Sequence, residues 1–542
     1  MVKKFLVLLQ NEFRGYNGTK LQKDVMAGIT VAAVALPLAL AFGVSSGADA
    51  QAGLITAVIA GLVIGSLSGG FYQISGPTGA MAAILMSIVA SQGMQGVFLA
   101  TFLAGLFLLI AGIFRLGALT SFIPAPVITG FTSGIAIIIA LGQVDNLFGV
   151  HSKGSNVIEK MASYQELGFS PATATATWLM GLLVILGLVF YPKSWNQKIP
   201  GSLVLIILCT AVMVLFDLPI ATVGRIPQTL IGEQRLHLGF TLKELQAVLM
   251  PAISIALLGM VESLLCGASA GRMANQPLDS NQELVAQGIG NLILPFFGGI
   301  PATAAIARTS VALKSGAQTR LAGIVHALVL FLSMILLGPI MSQIPMPALA
   351  GVLIVTAWRM NEWHTIRELF AKRNWAAISL FLLTMICTVV FDLSIAIVIG
   401  VIGGCIFFIW KSAAITISVD RIDWARMNLP QTEKLKNWSV VYISGPLFFM
   451  SAEKLKSTLA GLQEHDGIIF SMRGVPNIDL TAIGVLDDFQ AQAAKRNQLV
   501  IYTSLQPDVK KQLAHLWQDD QRKEHATVAH ALANLHAYYE EN

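Results

Sequence analysis

Phe71-Tyr72-Gln73-Ile74-Ser75-Gly76-Pro77-Thr78-Gly79-Ala80 and Phe296-Phe297-Gly298-Gly299-Ile300-Pro301-Ala302-Thr303-Ala304-Ala305 decide how this chain folds. Both stretches interrupt long apolar sequence, and both read as extended chain, then proline, then helix. Proline suits the first turn of a helix because it has no N–H to lose there, so each helix is expected to begin within a residue or two of Pro77 or Pro301. From Thr303 to Lys314, a rise of about 1.5 Å per residue gives about 16 Å, half of a hydrocarbon core of about 30 Å. The second helix is therefore expected to start near mid-membrane. Two such half-helices, on the third and tenth passes and running in opposite directions, are the sequence footprint of an inverted repeat. Their N-termini would face each other across one site, where unpaired N–H groups and two positive dipole ends favour a bound anion. One Gly-Pro pair would be no more than a kink between packed helices. Two in matching places point to a site.

The surrounding chain supplies the membrane. Of its 542 residues, 55% are hydrophobic and only 12% charged, against roughly 25% charged in a soluble domain. Apolar runs fill Met26 to Trp410 and polar sequence follows. The organisation reads as a cytoplasmic N-terminal segment (1–23), a transmembrane transport domain (24–411), and a linker with a cytoplasmic domain (412–542). At about 20 apolar residues per crossing, about fourteen passes are expected, starting near residues 24, 52, 77, 97, 126, 174, 201, 248, 282, 303, 321, 347, 375 and 393. Lys3, Lys4, Arg14, Lys20, Lys23, Arg115, Lys193, Lys198, Arg272, Lys314, Arg320, Arg359, Arg367, Lys372, Arg373 and Lys411 fall on one side of that alternation. That side is expected to be cytoplasmic, with both termini, in a cell inner (plasma) membrane. Lys153, Lys160, Arg225, Arg235 and Lys243 sit on the other side, in the two longest loops, which weigh less. The basic start, MVKKFLVLLQNEFRG, has too short an apolar core for a signal peptide and reads as an amphipathic cytosolic or interfacial helix. The net charge of +5 comes from Lys and Arg scattered through short loops, so nucleic acid is not an expected partner. Cys209, Cys266, Cys387 and Cys405 lack metal-ligand spacing and read as small buried residues. No metal or cofactor is expected.

Two charges lie too deep to reach water easily. Glu262 sits well inside the eighth expected span and Arg308 on the tenth, within two turns of its start. A charge at that depth costs at least about 2.5–3.5 kcal/mol, so each should face the protein interior or a wet cavity, and the economical arrangement places them near one another. Arg308 is then a positive element of an anion site and Glu262 a carboxylate that couples proton entry to anion entry; the alternative is a structural ion pair. Pro37 frees a carbonyl in the first span, where Phe42 is placed to line the cavity. The candidate substrate contacts are Phe42, Ser75, Gly76, Thr78, Gly79, Ala302, Thr303, Ala304 and Arg308, with Glu262 as the coupling residue. Asp24, Asp145, Glu283 and Asp392 fall at span ends and read as interfacial caps. His326 reads as an interhelical hydrogen-bonding residue.

After Lys411 the pattern alternates: strand 438–444, helix 452–462, strand 467–471, a helix after Thr481 and strand 498–503, a small α/β domain of about 100 residues. Asp479 reads as the cap of the helix that follows.

These residues resemble the SulP family of anion transporters. The resemblance runs over essentially the whole chain and is carried most specifically by Ser75-Gly76-Pro77-Thr78-Gly79, by Val261-Glu262-Ser263-Leu264-Leu265, by Asn281-Gln282-Glu283-Leu284 through Gly288-Ile289-Gly290-Asn291, and by Gly298-Gly299-Ile300-Pro301-Ala302-Thr303 through Arg308-Thr309. The tail is similar to a STAS domain, at Ser444-Gly445-Pro446-Leu447-Phe448-Phe449 and the Asp479 turn. The resemblance implies fourteen spans as a seven-plus-seven inverted repeat, core and gate domains, elevator-like motion, a homodimer, and a cytoplasmic partner for the STAS domain. It places the substrate between the third and tenth helices, beside the first and eighth. Sulfate-type members often carry Gln where this chain has Leu38, so sulfate, bicarbonate and dicarboxylates stay open. Sodium-coupled bicarbonate members carry Asp at the position of Glu262 and lack the arginine, which favours a proton over sodium as the coupling ion. Ala482 and Ser471 replace a helix-start Gly and a strand-end Asp of the STAS pattern, which weakens any expectation of phosphoregulation or nucleotide binding. An uncoupled channel or an exchanger is the alternative. No nucleophile or metal constellation suggests an enzyme.

Overall fold

The computed structural model describes residues 2–118, 123–150, 152, 163, 171–192, 195, 199–224, 226–237, 239–391, 393–422, 424, 433–514 and 524–541. Lys153, Lys160, Lys193, Lys198, Arg225 and Asp392 lie outside them. The chain divides into two units, Met1–Ile402 and Gly403–Asn542.

The first unit is helical. α1 (Val2–Glu12) precedes α2 (Gly18–Ser45), which Asn17 caps and which contains Pro37. α3 (Ala50–Leu67) follows, capped by Asp49, whose carboxylate accepts from Ala52 N at 2.7 Å. A two-residue strand, β1 (Ser75–Gly76), leads into α4 (Gly79–Ile113). α4 is broken at Gly93, whose φ of 65° puts it in the left-handed region that favours glycine. Then come α5 (Ala125–Gly142), the short α6 (Val144–Phe148), α7 (Pro171–Phe190), α8 (Gly201–Leu215), α9 (Leu242–Ala274) and α10 (Ser280–Ile293). β2 (Thr303–Ala304) precedes α11 (Ile306–Lys314), α12 (Leu321–Met341), α13 (Met346–Met360), α14 (Trp363–Ala371), α15 (Trp375–Val390) and α16 (Leu393–Ser412). Among the described residues α2, α3, α4, the α5–α6 run, α9 and α12 are long and apolar enough to cross a membrane unaided.

Two sets of helices pack chiefly within themselves. α10 and α9 lie on α4, and α12 lies on α2 and α3; α15 packs on α5, and α13 on α7. Small residues allow the closest approaches: a Cβ at Gly105 would stand 2.6 Å from Leu292 N.

Several polar expectations change here. Asp24, expected at an interface, is fully buried. It accepts from Tyr16 Oη (2.8 Å), Gln318 N (2.6 Å), Thr319 N (3.1 Å) and Thr319 Oγ1 (2.7 Å), which closes the turn before α12 rather than its own helix. Beside it Glu12 pairs with Arg320 at 2.7 Å, both side chains buried. Burial, with the Asp24 carboxylate, pushes the Tyr16 hydroxyl up to about 12. Glu283 caps nothing of its own either: Asp279 is the N-cap of α10. Glu283 is fully buried and accepts from Ser68 Oγ (2.6 Å), Gly69 N (3.0 Å) and Gln287 Nε2 (2.9 Å). Asp145, in the first turn of α6, accepts from Ser152 N and Oγ. Cys405 is exposed, whereas the other three cysteines are buried as expected.

The second unit is a five-stranded sheet in the order β3 (Thr416–Arg421), β4 (Trp438–Ser444), β5 (Gly467–Gly474), β6 (Leu499–Thr503), β7 (Glu524–His525). β4 through β7 run parallel and β3 is antiparallel to β4. Alternation along β4 sends Val441 and Ile443 to the face covered by α17 (Phe449–Ala460) and α18 (Leu480–Lys495). Trp438 and Val440 go to the face covered by α20 (Val528–Glu541); α19 (Pro507–Leu513) packs with the first face. Asp479 caps α18 as expected, accepting from Ala482 N at 2.9 Å. β3, α19, β7 and α20 were not foreseen, and β5 runs three residues past Ser471.

Candidate functional site

The two interrupted segments meet. Ser75 pairs with Ala304 and Gly76 with Thr303 in an antiparallel register, and Ala305 N donates to Ile74 O at 3.0 Å. This pairing corrects the expected start of the second half-helix. α4 begins at Gly79, two residues past Pro77, but α11 begins only at Ile306. Thr303 and Ala304 are held extended by β1, and Ala302 by Asn291, which accepts from Ala302 N (2.8 Å) and donates to Ala302 O (3.0 Å). Thr56 does the same for Ile300, accepting from its N–H at 2.8 Å. Backbone groups committed to these partners are not available to a helix.

Thr78 is the N-cap of α4, accepting from Met81 N. Its hydroxyl donates to Glu262 Oε2 at 3.0 Å, and the Thr303 hydroxyl donates to the same oxygen at 2.7 Å. Glu262 rises from α9, half-buried, and among the described residues its hydrogen bonds are made by Oε2 alone. A single carboxylate oxygen thus joins the two segments. A proton taken on Oε1 leaves both threonine bonds intact, so either protonation state fits the same frame. The neighbouring Ser263 hydroxyl accepts from Ala304 N at 3.2 Å.

Arg308 is 1% exposed. Its Nη2 donates to Pro77 O at 2.8 Å, so α11 reaches across to the start of α4. Arg308 and Glu262 were expected to lie together, and they flank one peptide, at Pro77 and Thr78, without forming a direct ion pair. Ala305, the N-cap of α11, supplies no side-chain cap. Ile306 and Ala307 are exposed, and no side chain caps the first N–H groups of that helix. Phe42 closes another side: a Cβ on Gly79 would meet Phe42 Cε1 at 3.0 Å.

The expected residues therefore take different places. Thr78 and Thr303 bond Glu262, Arg308 bonds the Pro77 carbonyl, and Phe42 lies against Gly79; Ser75 and Gly76 pair with Ala304 and Thr303, Ala302 is held by Asn291, and the Ser75 hydroxyl is taken up by Gln287 Nε2 at 3.0 Å. Asn291, Ser263, Thr56 and Gln287 hold the site and were given no role from sequence, although Ser263 and Asn291 stand inside the motifs quoted above. His326 departs from expectation: its ring nitrogens are buried and, among the described residues, reach no group on another helix, only the Gly323 carbonyl of their own at the edge of hydrogen-bond geometry.

The comparisons with known proteins agree with this architecture. The sulfate permease family matches residues 21–386, and the STAS domain matches residues 429–531. YvdB of Bacillus subtilis, whose description gives sulfate transport as a candidate role, is 37% identical over 518 residues, 92% of this chain and 94% of that protein. The bicarbonate transporter BicA of Synechocystis is 31% identical over 515 residues, 92% of this chain and 90% of that protein. The inward-facing structure of the murine anion transporter Slc26a9 has the same fold, with a TM-score of 0.85 over 98% of this chain and 94% of that one at 17% identity. The chain belongs to the sulfate permease family, a membrane-spanning transporter family, and carries a STAS domain at its C-terminal end.

Proposed function

We propose that this protein is a secondary active transporter of a small anion, coupled to proton entry. The observation that carries the reading is the single Glu262 oxygen shared by Thr78 and Thr303, one from each interrupted segment, beside the uncapped start of α11. An ionised Glu262 repels an anion at that helix end, and a proton on Oε1 removes the repulsion. Proton and anion then favour each other's binding, which is the thermodynamic content of symport. Thr78, Gly79, Thr303 and Phe42 contact the anion, Arg308 supplies positive charge, and Ser75, Gly76, Ala302 and Ala304 hold the two helix starts in place. The named roles of YvdB and BicA support sulfate or bicarbonate as cargo, with dicarboxylates as a third class. In this reading the first unit is a fourteen-span inverted repeat working as an elevator, in a homodimer, in the cell inner membrane with both termini cytoplasmic. The STAS domain serves as a docking module for a cytoplasmic partner.

The test is uptake of radiolabelled sulfate, bicarbonate and fumarate into proteoliposomes, with and without an inward proton gradient, for wild type and Glu262→Gln. Gradient-stimulated uptake that the substitution uncouples is the expected result. Uptake indifferent to both would make the protein an exchanger or an uncoupled channel.

A further inference from the structure

Among the described residues, polar atoms on three helices are buried without a well-formed hydrogen bond: Arg308 Nη1 on α11, both ring nitrogens of His326 on α12, and Gln287 Oε1 on α10. Their residues are 1%, 0% and 0% exposed. Roughly nine in ten buried polar groups are hydrogen-bonded, so such a cluster calls for a shared partner.

α3 relates two of them in space. A Cβ at Gly76 would stand 2.5 Å from Arg308 Nη1 and 3.4 Å from Ala57 Cα, whereas a Cβ at Gly61 would stand 3.4 Å from His326 Nδ1. Ala57 and Gly61 are one turn apart on one face of α3, about 6 Å along its axis. Guanidinium and imidazole therefore both border this stripe of α3. The Gly323 carbonyl, one turn back on α12, shares that face and is the backbone group nearest the ring, which it meets only at the edge of hydrogen-bond geometry. Gln287 comes from the next helix. Its Nε2 is committed to Ser75 Oγ at 3.0 Å and Glu283 Oε1 at 2.9 Å, which orients its amide and leaves the carbonyl oxygen as acceptor.

The donor count sets the roles. Arginine only donates and the Gln287 oxygen only accepts, while a neutral imidazole does one of each. We infer that His326, as a neutral imidazole, is a positioning residue that orients Arg308 through a shared buried water, with Gln287 Oε1 as the second acceptor. A protonated ring would lose its acceptor and set a second cation beside the first.

The inference rests on the reading of Arg308 as part of the anion site, and the experiment separates the two. Uptake of the same three radiolabelled anions is measured in proteoliposomes of wild type, His326→Leu, His326→Gln, Arg308→Gln and the Arg308→Gln/His326→Leu double variant. His326→Leu raises KM about tenfold with the maximal rate retained, as for one lost bond to a charged group. His326→Gln, which keeps a neutral acceptor, returns KM to within about twofold of wild type, and His326→Leu changes nothing further once Arg308 is gone. Equal damage from Leu and Gln, or an effect that adds fully to Arg308→Gln, overturns the positioning role. An unchanged KM in Arg308→Gln overturns the anion-site reading itself. Should His326→Leu fail to give monodisperse protein, His326→Met carries the same expectation.

Discussion

The two interrupted segments begin from the same pattern and end differently. After Pro77 the chain turns at once into α4, capped by Thr78. After Pro301 it stays extended through β2, and α11 starts behind Ala305 with no cap. The first turn of α4 is buried, whereas Ile306 and Ala307 are exposed. One helix end is sealed by its own threonine and the other has no side-chain cap. A repeated motif has produced two unequal ends, and under the proposed function the uncapped one is where a guest anion gains most.

Removing the charge should disturb this contrast most. Arg308→Gln deletes the buried cation and its bond to Pro77 O, and KM for the transported anion is expected to rise about 100-fold, the upper range for a hydrogen bond to a charged group. An unchanged KM in tracer uptake would make the two ends plain dipoles with no use for the arginine. Next in size is Ala305→Asp, which gives α11 the cap it lacks. An internal carboxylate at that N-terminus competes with the guest, so affinity should fall about tenfold while thermal stability gains about 1 kcal/mol. Undiminished uptake by a stabilised variant would move the anion elsewhere.

A finer comparison sets Thr303→Val against Thr78→Val. Each removes one donor from Glu262 Oε2, but the Thr303 bond is the shorter, 2.7 Å against 3.0 Å, and Thr78 has a second task at Met81 N. Stimulation of uptake by a proton gradient is expected to fall about fivefold in Thr303→Val and about twofold in Thr78→Val. Only the Thr78 variant should also lose about 1 kcal/mol of stability, as a lost cap does. The reverse ranking would assign the coupling frame to α4 instead of β2.

What the sequence disclosed follows from the same contrast. The start of α4 was legible because Pro77 and a capping threonine are local signals. The start of α11 was not, because what keeps Thr303 and Ala304 extended is pairing with residues more than two hundred positions earlier, and Ala-rich sequence reads locally as helix. Glu262 and Arg308 were legible from the cost of charge in lipid. Glu283 and Asp24 were misread as caps because position in a span says nothing of the loop that folds over them. In the tail, strands bounded by turn residues stood out, whereas β3 follows too closely on α16 to be told from its continuation.

The smallest expected effect concerns the far ends of the same two segments. α4 breaks freely at Gly93, but the turn beyond α11 is tied down through Asp24, to which Tyr16 donates at 2.8 Å. Tyr16→Phe removes one of four donors to that carboxylate, so a loss of about 1 kcal/mol in thermal stability is expected. The pH dependence separates this bond from mere packing. Burial and Asp24 raise the hydroxyl from its ordinary 10 to about 12, so the folded protein holds this proton more tightly than the unfolded chain does. Its contribution is complete below about pH 10 and is lost as pH rises through about 12. Melting curves of wild type and Tyr16→Phe in detergent should therefore stay separated at neutral pH and converge as the solution approaches pH 12. Above that, a phenolate beside Asp24 repels, and phenylalanine becomes the more stable residue. A gap that persists through pH 12 would mean that Tyr16 holds the turn by its ring alone, and the tether on the second segment would then rest on Asp24 and the Glu12–Arg320 pair.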